Sequence, residues 1–371
     1  MRELTAVEAR RMRMVSQGLV TGGWLGSTRT PLEAVRHAVA LQGQDLPAVL
    51  RAIAARSTPG TTLDDVRAAF DDGLVRSWAM RGTLFVAAAD DLAVLHAWTA
   101  ERMRRQEWRM CEVRGIDQAT AERAADVLVE VLADGPVLRS AMLAAWEAAG
   151  VSTAGGRGYH LLALGSYDGI LRFGPFDGRD QLLVGGPRPS VPEPERALDE
   201  ALRRFVGARG PVHPDDVAWW LGLPKTIVRA SLARIEGLEA VLVEGREMLV
   251  VAGAVGEPSD VVLVPGFDEL LLGYRDRSLV ASPTVLAAVV PGGNGVFRPM
   301  VVVDGAAVGT WRFPASRAVG RSSAARSRRA TARGQAADPS APVEPLLELV
   351  EPVSAVTRRR IDAALAEWPH R

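Results

Sequence analysis

The sequence predicts an α+β protein of three tandem winged-helix domains followed by a small C-terminal β-barrel-like domain. Three observations carry that expectation. An order of about three helices and then a two-stranded hairpin recurs three times, glycine-bearing turn signals stand where each hairpin would reverse, and short apolar strands dominate after residue 258.

The first unit covers 1–116, counting an N-terminal helix and a linker helix. Thr30-Pro31-Leu32-Glu33 has the Thr-x-x-Glu of a capping box with Pro at the first helical position. Leu32, Val35 and Val39 mark one apolar face, so a helix runs toward Gln42. Asp45 can cap a second helix through Arg56, and Thr62 a third through Asp72 that turns Leu63, Val66 and Phe70 inward. Two strands then flank Arg81-Gly82.

The second unit covers 117–190, with Asp134-Gly135-Pro136 between two helices and a hairpin turning at Asp177-Gly178-Arg179 after Ile170-Leu171-Arg172-Phe173. The third covers 191–257: helices lie before and after Gly210-Pro211, another starts at Pro224, and a hairpin turns at Glu244-Gly245-Arg246. The C-terminal domain, 258–371, reads as strands at 261–265, 300–305 and 308–311, with Asp304-Gly305 a hairpin signal. A flexible loop at 315–340 carries Arg317, Arg321, Arg326, Arg328, Arg329 and Arg333 with no acid before Asp338; it suits either a phosphate backbone or mere solubility. A strand near 343–351 and a helix from Ser354 to Trp368 close the chain.

With 371 residues, 48% hydrophobic and 24% charged, the chain is globular and can bury more than one core. It has no apolar run of about 18 residues and no secretory h-region, so no membrane partner is expected and the location is expected to be cytoplasmic. The 44 basic and 44 acidic side chains cancel, which argues against a uniformly basic nucleic-acid binder. Distribution qualifies the sum: Asp64-Asp65, Asp71-Asp72 and Asp90-Asp91 gather acid, while Arg102, Arg104, Arg105, Arg109 and Arg114 concentrate positive charge around one helix. Cys111, the only cysteine, can form neither an internal disulfide nor a cysteine zinc cluster and reads as a buried thiol. His160 has no second ligand at metal spacing, and Gly155 to Gly158 lacks the Gly-Lys-Ser/Thr ending of a P-loop, so no metal or cofactor is expected.

The most specific pattern is Gln42-Gly43-Gln44 together with Arg76-Ser77-Trp78-Ala79-Met80-Arg81-Gly82-Thr83-Leu84. It resembles the bacterial AlkZ-like family of winged-helix DNA glycosylases, which carry a Gln-x-Gln pair and an R-x-W-x-M-R-G-T-L stretch. The resemblance continues through Gly158-Tyr159-His160-Leu161-Leu162, 266–277, Asn294-Gly295-Val296-Phe297-Arg298-Pro299 and Val308-Gly309-Thr310-Trp311-Arg312, and so covers nearly the whole chain. It implies catalytic roles for Gln42 and Gln44 and a hairpin that probes the DNA groove with Phe297 and Arg298. A related branch has Asp in place of the second Gln, whereas this chain keeps Gln; Gly43 replaces the usual aliphatic residue and adds backbone freedom.

Chemically, an amide carbonyl can orient a water beside an N-glycosidic bond, and an N7- or N3-alkylated purine already carries the positive charge that lets it leave. On the residues alone, capping of backbone groups at a helix end is the favoured reading of both amides, and the resemblance reverses that preference. Arg81, at its turn, is a candidate DNA contact, as are Arg275 and Arg277, which suit equally an ion-pair network with Asp276; Trp78 and Met80 alternate as core. The expected activity is that of a monofunctional DNA glycosylase for bulky alkylated purines, extending to interstrand crosslinks and to self-resistance against a genotoxic metabolite. Its expected partner is double-stranded DNA carrying alkylated bases, bound by a monomer. The alternatives are a non-catalytic winged-helix DNA-binding protein or transcription regulator, and a protein-interaction scaffold.

Overall fold

The computed structural model describes residues 1–20, 29–186, 190–257, 260–313 and 345–369; the arginine-rich 315–340 segment lies outside them. The fold is mixed α/β. An N-terminal helix, Ala6–Ser16, starts from a capping box between Thr5 and Glu8. The Thr30–Glu33 box opens the next helix, Pro31–Ala38, as its sequence predicts.

That helix ends four residues before Gln42. Val39 takes a φ of 67°, and Ala40–Gln42 leaves as a short strand, paired antiparallel as Ala40 with Ala87, Leu41 with Val86 and Gln42 with Phe85. The sheet supplies the partners that another helical turn would have given these buried backbone groups. The glutamine pair therefore sits at a strand exit and not at a helix end. Asp45 caps Leu46–Ala54 by accepting from the Ala48 N–H at 2.9 Å. The helix from Thr62 stops at Ala68, short of Asp72, and Gly73, at φ 115°, turns the chain into the hairpin Leu74–Met80 and Thr83–Ala88.

The long helix Ala89–Val113 follows, then Gln118–Ala133, Arg139–Ala148, Arg157–Tyr167 and a hairpin of Arg172–Asp177 with Asp180–Val184. These first two hairpins share one six-stranded sheet, joined where Arg76 pairs with Phe173; Ala40–Gln42 forms one outer edge and Val137–Leu138 the other. Helices Pro194–Arg209, Pro214–Leu221 and Lys225–Arg234 precede the third hairpin, Leu238–Val243 with Arg246–Val251. Its free side takes the N-terminal strand Arg2–Leu4 in parallel, a pairing no local signal announces.

The C-terminal strands Val261–Val264, Met300–Val303, Ala306–Arg312 and Leu346–Leu349 form an antiparallel sheet in that order. Among the described residues it is open: the first and last strands do not pair, so the barrel-like closure expected from sequence is not seen there. Helix Pro283–Val289 packs Val285 and Val289 with Val302, while helix Ala355–Ala366 packs Ile361 and Leu365 with Val301. With both faces covered, and four strands among the described residues, the sheet has neither need nor length to close.

The core that positions the site joins the first hairpin to the third helical group. Trp220 lies fully buried with its ring 5.9 Å from Phe85 and 4.8 Å from Phe205, both close to edge-on or tilted. Truncating such a tryptophan costs roughly 3–5 kcal/mol, enough to loosen the junction.

Candidate active site

Both glutamine side chains are tied to the strand Thr83–Ala88. Gln42, 8% exposed, accepts at Oε1 from the Gly43 N–H at 3.1 Å and donates from Nε2 to Thr83 Oγ1 at 3.3 Å. Gln44 is exposed, and its Oε1 accepts from the Leu84 N–H at 3.3 Å. Each carbonyl oxygen keeps a second lone pair, so each can still accept from a water or a hydroxyl.

Gly43 between them is held firmly, and the backbone freedom expected there is not used. Its N–H donates to the Leu84 carbonyl at 2.8 Å, its carbonyl accepts from Arg76 Nε at 2.6 Å, and its φ is not positive. A Cβ at this position would stand 3.2 Å from the Phe85 carbonyl carbon and the Val86 nitrogen. Glycine is here for close approach to a neighbouring strand.

The two carboxylates beside the pair are already engaged. Asp45 caps its helix. Glu269, 2% exposed, accepts at Oε1 from the Gln42 N–H at 3.1 Å, and at Oε2 from Arg209 Nη2 and Trp220 Nε1, each at 2.9 Å. Next to them an arginine stack rises from the hairpin turn. Arg81 and Gly82 both have positive φ, 56° and 71°, the pairing of a two-residue hairpin turn. The Arg81 guanidinium lies 4.3 Å from the Trp219 ring centroid; Arg277 lies 5.6 Å from the same ring and 5.2 Å from Phe297.

Arg81 Nε and Nη2 and Arg277 Nε are buried without a hydrogen-bond partner among the described residues. Burial lowers the Arg81 guanidinium to about 10; Glu269 opposes that shift, and Arg277 and Arg209 add to it. Burial also lowers Arg277. Both guanidinium groups stay cationic, as arginine does in proteins, and both residues remain partly exposed.

Arg81 and Arg277 thus meet over Trp219, with Phe297 against Arg277, while Gln42 and Gln44 are held by Thr83 and Leu84, just past the Arg81-Gly82 turn. Arg275 stands apart, paired with Asp215 at 3.5 Å, and Arg298 lies beside Glu348 at 3.7 Å while donating to the Ala288 carbonyl. The Asn294-Gly295 turn is not a hairpin tip: it lies in an irregular passage between helix Pro283–Val289 and strand Met300–Val303, after a short 3-10 turn at Pro291–Gly293. Trp78 and Met80 are core, at 2% and 0% exposure, with the Trp78 indole donating to Tyr159 Oη. His160 faces Glu107 at 2.6 Å. Cys111 is buried in the same apolar cluster as Trp78, and burial raises its thiol to about 12.

Sequence reasoning missed Glu269, Arg209, Trp219 and Trp220. The available signals were an acid immediately before three leucines in Glu269-Leu270-Leu271-Leu272 and adjacent tryptophans in a short helix. Neither says which distant strand the side chains meet.

The family model described as DNA glycosylase AlkZ-like matches residues 35–368. An interstrand DNA cross-link repair glycosylase from Streptomyces sahachiroi is 28% identical over 267 residues, 66% of this chain and 71% of the relative. The solved structure of Streptomyces sahachiroi DNA glycosylase AlkZ superposes with a TM-score of 0.69 at 21% identity, covering 85% of this chain and 89% of that one, so the two share a fold. The protein is a DNA glycosylase, an enzyme whose substrate is DNA. It belongs to the AlkZ-like family. Among the described residues no helix is long and apolar enough to cross a membrane.

Proposed function

We propose that the protein is a monofunctional glycosylase that hydrolyses the N-glycosidic bond of bulky N7- or N3-alkylated purines, including those of interstrand crosslinks, in base excision repair or in self-resistance to a genotoxic metabolite. The observation that carries this reading is the convergence of two neutral amides on one strand, one buried and one exposed, beside partly exposed arginines and carboxylates already engaged. Gln42 and Gln44 are the catalytic pair: their free lone pairs hold the attacking water and face the charge that develops on the sugar. A cationic leaving base needs no protonation, so no carboxylic acid is required. The curated relative's name, which speaks of interstrand cross-link repair, supports the crosslink part of the reading.

The three helix-and-hairpin groups act as winged-helix modules that a monomer lays along duplex DNA. Arg81 and Arg277, each partly exposed, offer their positive charge to phosphate oxygens, and Phe297 offers an apolar face beside them. Arg275 and Arg298, both exposed, extend the contact along the backbone. A crosslinked base cannot leave the duplex, so the lesion is met where it lies instead of being flipped into a closed pocket.

The test is base release from a duplex with one N7-alkylguanine and from one with an N7–N7 crosslink, read as strand scission or unhooking after mild alkali. Wild type releases base from both and Gln44→Ala from neither. Binding without release by the wild type would instead mark a non-catalytic DNA-binding protein.

A further inference from the structure

We propose that Glu269 is a positioning residue for Gln42, acting with Arg209 as a charged substitute for a missing neighbour strand. Among the described residues Ala40–Gln42 is the outer strand of its sheet and pairs only with Thr83–Ala88. Its other edge points to Arg209 and Glu269. Arg209 Nη1 donates to the Ala38 carbonyl at 2.8 Å and Nη2 to the Ala40 carbonyl at 3.0 Å, while Glu269 Oε1 accepts from the Gln42 N–H at 3.1 Å.

Two side chains thereby take the Ala40 carbonyl and the Gln42 N–H that a paired strand would have taken, and Arg209 also holds Ala38, the last carbonyl of the preceding helix. They are joined to each other at 2.9 Å, and Trp220 Nε1 holds Glu269 Oε2 from a third direction. Arg209 and Glu269 are 1% and 2% exposed, so solvent competes with none of these bonds. The pair is anchored in two stretches of chain distant from Gln42, and it fixes the backbone from which the Gln42 amide projects. It touches neither DNA nor water at the reacting bond.

The inference rests on the catalytic reading of Gln42. The experiment compares Gln42→Ala, Glu269→Gln and the double replacement Arg209→Met with Glu269→Leu, measuring single-turnover base release from an N7-alkylguanine duplex, duplex Kd and Tm. Glu269→Gln gives about a hundredfold slower release, the loss expected of a displacement near 1 Å at a reacting centre, with Kd within about threefold of wild type. The double replacement removes both buried charges, so its Tm recovers toward wild type while its rate stays low. A purely structural pair would restore rate together with Tm. Recovery of the rate, wild-type release by Glu269→Gln, or a double variant that fails to fold overturns the proposal. Full activity in Gln42→Ala overturns the underlying reading of the glutamines instead.

Discussion

Replacing Gly43 by alanine inserts one methyl group between two strands, and the structure fixes what it meets. The added Cβ lies 3.2 Å from the Phe85 carbonyl carbon and Val86 nitrogen and 3.3 Å from Phe85 Cα, all backbone atoms. They cannot swing aside, because the Gly43 N–H to Leu84 bond at 2.8 Å and the Gln42–Phe85 pairing lock the two strands together. Overpacking of this kind costs about 1–3 kcal/mol, and the stiffer unfolded chain returns about 0.4–1, leaving a net loss of about 1–2 kcal/mol. The strands must part by a few tenths of an ångström, and both glutamine amides are anchored across that gap. Taking about a hundredfold per ångström of misplacement, on a logarithmic scale, gives roughly a fourfold slower reaction. Urea unfolding and single-turnover base release measure the two effects. A variant as stable and as fast as wild type would refute the close-approach reading of this glycine.

Arg81→Gln should weaken binding by a similar factor across unrelated duplexes and lower the slope of log K against log salt by about 1, as loss of one phosphate contact does; fluorescence anisotropy at several salt concentrations measures it. The His37 imidazole is held down at about 4, chiefly by burial and next by Arg29, with Nε2 2.9 Å from the Ser16 carbonyl. The folded state keeps the ring neutral while the unfolded chain protonates near 6.5, so this contribution is complete above about pH 6.5 and lost as the pH falls toward 4. At roughly 1.4 kcal/mol per pH unit the loss reaches about 3 kcal/mol, and His37→Gln should flatten the fall in urea-unfolding free energy between pH 7 and 5.

Local chemistry was legible in the sequence wherever a few neighbouring residues decide the outcome. Thr30 with Glu33, Asp45 and Thr62 cap their helices, and the turns at Arg81-Gly82, Glu244-Gly245 and Asp304-Gly305 each place two residues at positive φ. The strand Ala40–Gln42 was not legible. Ala40 and Leu41 suit a helix at least as well as a strand, and only the distant strand Thr83–Ala88 makes an extended conformation worthwhile. The same holds for the parallel pairing of Arg2–Leu4 and for the merging of two hairpins through the single Arg76–Phe173 pair, since register between distant segments is set by tertiary packing. Of the site, the two glutamines were recognisable from their motif. Glu269 and Arg209 were invisible as a pair because they lie 60 residues apart and are joined only by folding.

The central claim is that Gln42 and Gln44 act together on one water, and a double-mutant cycle in single-turnover base release from an N7-alkylguanine duplex tests it most directly. Each single alanine replacement should slow release by orders of magnitude at unchanged duplex Kd, and the double replacement should cost little more than the worse single one, because groups acting as a unit do not contribute additively. Additive losses would mean separate tasks for the two amides, and undiminished release by the double variant would contradict the account outright.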